Sequence, residues 1–286
     1  MTAIEFGQAW SASLRRGPEA ELRGWVDAAL AWCVETDAIA MKHFRRDLGL
    51  QQKPDRTYVT VADTAIEERL RERIAAAYPR HGVVGEELGT DAGAATTRWL
   101  VDPIDGTHNY MRGVPIFGTL LAVERDGELQ AAVISAPALR MRWGGWRGGG
   151  AWAFSTIGGA APRRIGVSKV DDVGAAHVLY TSAIDIEASG LGPGIHELLR
   201  SAWRDRGFGD FWSYTLVAEG AAEAMVEVDL KPWDAAAPFL LVEEAGGRVT
   251  DLDGERSWDG RSLLATNGLL HDPVRAILTE RQEVTT

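Results

Sequence analysis

The 286-residue chain reads as a mixed α/β protein whose two halves pack as one unit. Three observations predict this class. Segments with helical spacing of apolar residues alternate with short strand runs along the whole length. Several strand runs follow one another across tight-turn signals, which sets antiparallel neighbours side by side in a sheet. No internal repeat or low-complexity linker separates the elements, so two intimately packed halves fit better than independent beads. The expected divisions are an N-terminal helical extension over 1–18, a first half over 19–157 and a second over 158–286.

Two helices open the chain. The segment 5–14 comes first and reads as an appendage. After Gly17-Pro18 a longer helix starts near Glu19, with Leu22, Trp25, Val26, Ala29, Leu30 and Val34 along one face. The stretch 45–56 is polar and loop-like, and Tyr58-Val59-Thr60-Val61 is a short strand. Asp63 or Thr64 then opens an amphipathic helix, with Ile66, Leu70 and Ile74 inward and Glu67, Glu68, Arg71 and Arg73 outward. Gly82-Val83-Val84-Gly85 is a strand ending in Glu86-Glu87, 91–97 is a small-residue loop, and Trp99-Leu100-Val101 closes a buried strand. The runs 117–125 and 128–135 flank Asp126-Gly127, a dipeptide suited to a two-residue hairpin. A glycine-rich hairpin with Trp143, Trp146 and Trp152 follows over 142–154, and near Gly158-Gly159 the chain enters its second half. There, strands are expected at 178–180, 224–228 and 263–266, and helices at 195–204, 211–224, 234–245 and 273–283. Pro238 must lie near the start of its helix, since deeper inside it would remove a backbone hydrogen bond.

Composition narrows the function. A hydrophobic share of 45% and a charged share of 25% match an ordinary globular protein. The net charge of −11 argues against a nucleic-acid partner or an anionic membrane, and suits a protein that gathers carboxylates around cations. A single cysteine, Cys33, has no intramolecular partner and sits in an apolar helical stretch, as a buried structural thiol would. No apolar run is long enough to span a bilayer, and Met1-Thr2-Ala3-Ile4-Glu5 lacks the basic-then-apolar order of a secretion signal. A cytoplasmic enzyme is the expectation. The eleven tryptophans read as packing rather than a carbohydrate platform.

The chemistry concentrates in Asp102-Pro103-Ile104-Asp105-Gly106-Thr107. Proline fixes its own backbone and Gly106 opens a conformation closed to other residues, so two carboxylates stand at the tip of a strand. Such a pair offers oxygen donors to a hard divalent cation. The alternative is a Pro-Gly turn with two solvated acids. Glu86-Glu87 follows a strand and a glycine, Asp63 ends a strand where a helix begins, and Asp234 sits where a turn hands over to a helix. Simple N-capping accounts for Asp63 and Asp234 taken singly, and capping is compatible with ligation, since each carboxylate has two oxygens.

Gly85-Glu86-Glu87, then Trp99-Leu100-Val101-Asp102-Pro103-Ile104-Asp105-Gly106-Thr107-His108-Asn109-Tyr110, then Trp233-Asp234-Ala235-Ala236 with Glu243-Glu244-Ala245-Gly246-Gly247 occur in order. With this set the chain resembles the inositol monophosphatase family of magnesium-dependent, lithium-sensitive sugar-phosphate phosphatases, from about Ala20 to the C-terminus. The resemblance implies a layered αβαβα sandwich and a homodimer. It also implies Mg²⁺ held by Glu86, Asp102 and the Ile104 carbonyl, a second Mg²⁺ held by Asp102, Asp105 and Asp234, and a third, looser ion near Glu86. Thr107, hydrogen-bonded to Asp63, would orient or deprotonate the attacking water. Backbone N–H groups of Gly106 and Thr107 would receive the phosphate. Lys53 matches a basic position that the family often carries near the metals, and a solvated loop lysine is the alternative.

The substrate must be read elsewhere. Gly209-Asp210-Phe211-Trp212-Ser213-Tyr214 and Glu227, seven residues before Asp234, occupy the two family regions that matter. Inositol-type enzymes usually carry small residues in the first. An acid and two bulky aromatics suit a small phosphate monoester with a cationic end. The strings Leu216-Val217-Ala218-Glu219-Gly220, Ser135-Ala136-Pro137-Ala138-Leu139 and Ala265-Thr266-Asn267-Gly268-Leu269-Leu270-His271 resemble the family's histidinol-phosphatase branch, actinobacterial members in particular. Asn267 at the pocket rim would pair with imidazole. Asp210 as a mere helix cap is the alternative, and His108 departs from the lysine of many relatives. The rival activity is a broad inositol- or sugar-monophosphatase. A bisphosphate nucleotidase fits less well after the Asp-Gly-Thr, and a metal- or phosphate-binding regulator would have no chemical need for the full acidic set.

Overall fold

The computed structural model describes residues 18–46, 48–52, 58–91, 96–157, 161–259 and 261–279. The expected first helix over 5–14, Lys53 and Gly158-Gly159 lie outside them. The chain divides into two compact units, Met1–Arg164 and Ile165–Thr286.

The first unit opens with α1 (Pro18–His43), whose Leu22, Trp25, Val26, Ala29 and Leu30 enter the core as their spacing predicts. Val34 is exposed instead, and Cys33 takes the buried position. A short strand β1 (Gln51–Gln52), in the stretch expected to be loop, pairs antiparallel with β2 (Tyr58–Val59), which falls within the expected strand. The next helix, α2 (Val61–Ala77), begins two residues before Asp63. Thr60 is its N-cap and Asp63 its third residue, joined in a capping box. Ile66, Leu70 and Ile74 are buried as expected, but so is Glu67, which the amphipathic pattern placed outside.

An eight-stranded sheet carries the rest of this unit. Its members are β3 (Gly82–Gly85), β4 (Gly89–Asp91), β5 (Thr97–Asp105), then, past the short helix α3 (Thr107–Arg112), β6 (Gly118–Arg125), β7 (Glu128–Ala136), β8 (Met141–Trp146), β9 (Gly150–Ser155) and β10 (Arg163–Arg164). The spatial order is β10-β9-β8-β7-β6-β5-β3-β4. Only β3 and β5 run parallel within it. The β6–β7 turn has Asp126 and Gly127 both at positive φ, 54° and 83°, as a type I′ turn requires. One face of α1 and α2 covers the sheet, burying Trp25, Ile66, Leu70, Trp99, Tyr110 and Phe117 in one cluster.

The second unit holds β11 (His177–Tyr180), α4 (Ala183–Ile186), α5 (Gly192–Ser201), β12 (Arg204–Arg206), α6 (Asp210–Ala218), β13 (Ala224–Val228), α7 (Pro232–Glu244), β14 (Arg248–Thr250), β15 (Ser262–Thr266) and α8 (His271–Thr279). Its five strands are ordered β12-β11-β13-β15-β14, with β11 parallel to both neighbours and the remaining pairs antiparallel. The helix expected to run to 204 stops at Ser201, because the chain there enters edge strand β12. Pro238 is the seventh residue of α7, not near its start, since the helix already begins at Pro232. It therefore withholds an N–H from the carbonyl of Asp234, four residues back.

Candidate functional site

The hexapeptide is less a strand tip than a strand with a fault in it. β5 continues through both acids to Asp105, and its register against β6 shifts between Asp102, opposite Leu120, and Asp105, opposite Gly118. Three steps on one strand face two on the other, which is a β-bulge at Pro103-Ile104. Proline is tolerated there because a bulge needs no ladder N–H, and the Thr119 hydroxyl donates to the Pro103 carbonyl at 2.8 Å. Asp102 is buried, while Asp105 is partly open. Gly106 follows with φ 78° and ψ 37°, and no side chain caps the helix α3 that it opens.

Glu86 reaches the same end of the sheet by the parallel pair. Gly85 is in register with Val101, so Glu86, just past the end of β3, neighbours Asp102 within β5, and the Glu86 N–H donates to the Val101 carbonyl at 3.2 Å. The first unit thus places Glu86, Asp102, Ile104 and Asp105 at one strand end. The donors on offer are all oxygen, which suits a hard divalent cation. Among the described residues, no group of three or more His, Cys, Asp or Glu side chains stands ready-made as a metal site.

Asp63 is fully buried. Its Oδ2 accepts from the Thr60 N–H at 2.8 Å and the Thr60 hydroxyl at 2.5 Å. Its Oδ1 is buried with no hydrogen-bond partner among the described residues. Burial above all, aided by Glu86, pushes its pKa up from 3.8 to about 6, against the hydrogen bonds from Thr60. The expected Thr107–Asp63 hydrogen bond is not made. The Thr107 hydroxyl donates to the Ile104 carbonyl at 2.8 Å, because the bulge turns that carbonyl toward the first residue of α3. His108 is exposed, with its ring edge-on to Tyr58 at 6.3 Å.

In the second unit, Glu227 on β13 is buried with Oε2 lacking any hydrogen-bond partner among the described residues. Burial first, then the charges of Asp210 and Asp234, push its pKa up to about 8, while the Tyr214 and Thr181 hydroxyls oppose them. Asp210 is no side-chain cap: Gly209 occupies the cap position, and Asp210 begins α6 with φ 53°, a left-handed conformation costly for a residue with a Cβ. Asp234 is the third residue of α7 and accepts from the Lys231 N–H at 2.9 Å. Asn267 is not at a rim. It is buried, its Nδ2 donates to the Ser168 hydroxyl at 3.0 Å and the Val170 carbonyl at 2.7 Å, and its Oδ1 accepts from the Leu270 N–H at 3.1 Å. That amide holds a loop. Tyr214, beside Glu227, lies in the 209–214 segment that the sequence marks, whereas Thr181 and the buried Glu67 were not singled out. The i,i+4 pair Glu67/Arg71 was the available signal for the last.

The mixed α/β fold is shared with solved structures. A Thermotoga maritima IMPase superposes with a TM-score of 0.79 and 27% identity, over 89% of this chain and 96% of that one. The class so defined is a metal-dependent phosphomonoesterase. The model of the inositol monophosphatase family matches residues 21–284, and the chain belongs to that family. Among its relatives, a histidinol-phosphatase of Mycobacterium tuberculosis is 43% identical over 86% of this chain and 94% of its own length. A histidinol-phosphatase of Streptomyces coelicolor is 42% identical over 86% and 93%.

Proposed function

We propose that the chain is a Mg²⁺-dependent histidinol-phosphate phosphatase, converting histidinol phosphate and water to histidinol and phosphate in histidine biosynthesis. The observation that carries this reading is Glu227, a buried carboxyl beside Asp210 with one oxygen left unsatisfied. Neutral hydroxyls do not offset two neighbouring acids in a dry setting, whereas an amine or imidazolium does. The two histidinol-phosphatase relatives support it independently.

In this reading Glu86, Asp102, the Ile104 carbonyl and Asp105 are the cation ligands of the first unit. Asp234 is proposed as a ligand from its sequence motif alone. Bound Mg²⁺, two or three ions, supplies charge neutralisation at the phosphoryl oxygens and an activated water. The N–H groups of Gly106 and Thr107 meet the phosphate at a helix start that no side chain caps. Thr107, its proton held by the Ile104 carbonyl, offers its oxygen to a water proton. The unpartnered Asp63 Oδ1 is a separate acceptor, with a pKa near the range a general base uses.

Comparing turnover of histidinol phosphate and myo-inositol 1-phosphate under matched Mg²⁺ tests the proposal, and efficient hydrolysis of the inositol ester alone would sink it. The second reading, a broad inositol- or sugar-monophosphatase, is favoured by the likeness to the Thermotoga enzyme. Inhibition by Li⁺, a homodimer and a cytoplasmic location without nucleic-acid or membrane partners complete the reading. Lithium titration, sedimentation and cell fractionation check them. No helix among the described residues is long and apolar enough to cross a membrane.

A further inference from the structure

Glu67 belongs to no part of the chemistry described so far, yet its carboxylate is wholly buried in the first unit. It does not face the core lipophilically; it grips backbone. Oε2 accepts from the Glu87 N–H at 2.7 Å and Oε1 from the Leu88 N–H at 3.1 Å. Arg71, one helical turn on, balances the charge through Nε at 2.9 Å and Nη2 at 2.8 Å, and donates as well to the Gly89 carbonyl. The turn 86–89 is therefore held from beneath by one acid and one base of α2. On its other side the Glu86 N–H is fixed to the Val101 carbonyl at 3.2 Å.

Gly85 is part of the same device. A Cβ built there would lie 2.0 Å from Glu67 Oε1 and 2.4 Å from Cδ, and the three nearest atoms all belong to the Glu67 carboxylate. Gly85 is not at positive φ, so backbone conformation does not demand glycine at this position. The space for Glu67 does.

We propose that Glu67 is a positioning residue for Glu86, clamping the turn after β3 so that the Glu86 carboxylate is presented to a divalent cation at the end of β3 and β5. This rests on the reading of Glu86 as a cation ligand. Residues outside the ligand set that orient a ligand typically change metal affinity by about 10- to 100-fold when replaced. A role confined to stability would instead lower the unfolding midpoint and leave affinity unchanged.

The test uses the full chain with Glu67→Gln, Gly85→Ala and Glu86→Gln, measuring Mn²⁺ binding by electron paramagnetic resonance, the Mg²⁺ concentration for half-maximal activity, and substrate KM at saturating Mg²⁺. Glutamine keeps the volume but turns one acceptor into a donor facing an N–H. Glu67→Gln is expected to weaken Mn²⁺ binding and raise the Mg²⁺ requirement by about 10- to 100-fold, with activity recovered at high Mg²⁺ and KM unmoved. Gly85→Ala should reproduce this by displacing the same carboxylate, and the two changes combined should be no worse than either. Folded Glu67→Gln with Mn²⁺ affinity within about twofold of the parent overturns the proposal, provided Glu86→Gln weakens binding. Undiminished binding by Glu86→Gln overturns the ligand reading itself. If Glu67→Gln fails to fold, hydrogen exchange on the parent chain decides: Mg²⁺ should slow exchange of the Glu87 and Leu88 amides, and no change overturns the clamp.

Discussion

His271 begins α8 with no exposure to solvent, its Nε2 3.0 Å from the Thr250 hydroxyl and its Nδ1 3.0 Å from the Thr266 hydroxyl. Thr250 spends its own proton on the Asp251 carbonyl at 2.6 Å, so Nε2–H is the donor in the first contact. Burial, reinforced by Arg248, lowers the imidazole pKa from 6.5 to about 4. Above pH 6.5 neither the folded nor the unfolded chain protonates this ring, and its contribution to stability is fully present. Below that value the unfolded chain takes up a proton that the folded chain refuses, and the loss continues until the pH passes 4. At about 1.36 kcal/mol per pH unit the whole window is worth about 3 kcal/mol, of which about 2 kcal/mol is gone by pH 5. Urea unfolding followed by circular dichroism at pH 7 and pH 5, on the parent and on His271→Gln, isolates this group. Glutamine also carries a donor and an acceptor but does not titrate. The parent should lose about 2 kcal/mol more than the variant between the two pH values; equal losses would refute the assignment.

Three further outcomes are expected. Asp105→Asn should lower kcat by at least about 100-fold, since a cation contributes several kcal/mol to stabilising transition-state charge; surviving phosphate release would show the ligand assignment to be wrong. Asp210→Asn should cut kcat/KM for histidinol phosphate by about 10- to 100-fold, the scale of one buried charge interaction, and leave an uncharged ester within about threefold. A parallel assay with both esters separates that loss from a general defect. Arg142 is buried against Asp37 at 2.5 Å, with its Nε donating to the Ser135 hydroxyl at 3.0 Å. Arg142→Ala strands that acid and should cost about 3–5 kcal/mol by urea unfolding, while Arg142→Met with Asp37→Leu should recover most of it.

What was legible in the sequence follows from how local each signal is. The β6–β7 hairpin was visible because Asp126-Gly127 specifies its own turn, whatever surrounds it. The buried stripe of α1 was visible through its period, and erred only at Val34, where the neighbouring Cys33 takes the buried position. The extent of β5 was hidden, because a proline normally ends a strand and only the pairing partner reveals a bulge. The start of α2 was read at Asp63 or Thr64 with Thr60 in the preceding strand, and the capping box places it earlier, with Thr60 as the cap and Asp63 as the third helical residue. Glu67 was misplaced because periodicity records which residues are charged, not whether backbone donors wait for them. Asn267 failed for the converse reason: a polar side chain beside a glycine reads as accessible until its three partners are known.

The acids of the first unit share a feature that bears on the chemistry. None is placed by its own rotamer alone. Asp102 and Asp105 owe their separation to the bulge, Asp63 is turned back by Thr60, and Glu86 leads a turn held from both sides. The charges of Asp63 and Glu86 oppose one another, and each acid is set by backbone whose hydrogen bonds are made elsewhere. Burial, with a smaller contribution from Glu86, raises the pKa of Asp63, because its surroundings favour the neutral acid over the anion. Glu227 in the second unit is raised further, by burial first and then by the charge of Asp210, against the Tyr214 and Thr181 hydroxyls and with one oxygen unsatisfied. A neutral polyol would leave that acid protonated and gain a hydrogen bond. A cationic substrate gains the charge interaction as well, which is why discrimination between the two esters should fall on Asp210 and Glu227 rather than on the acids proposed as cation ligands.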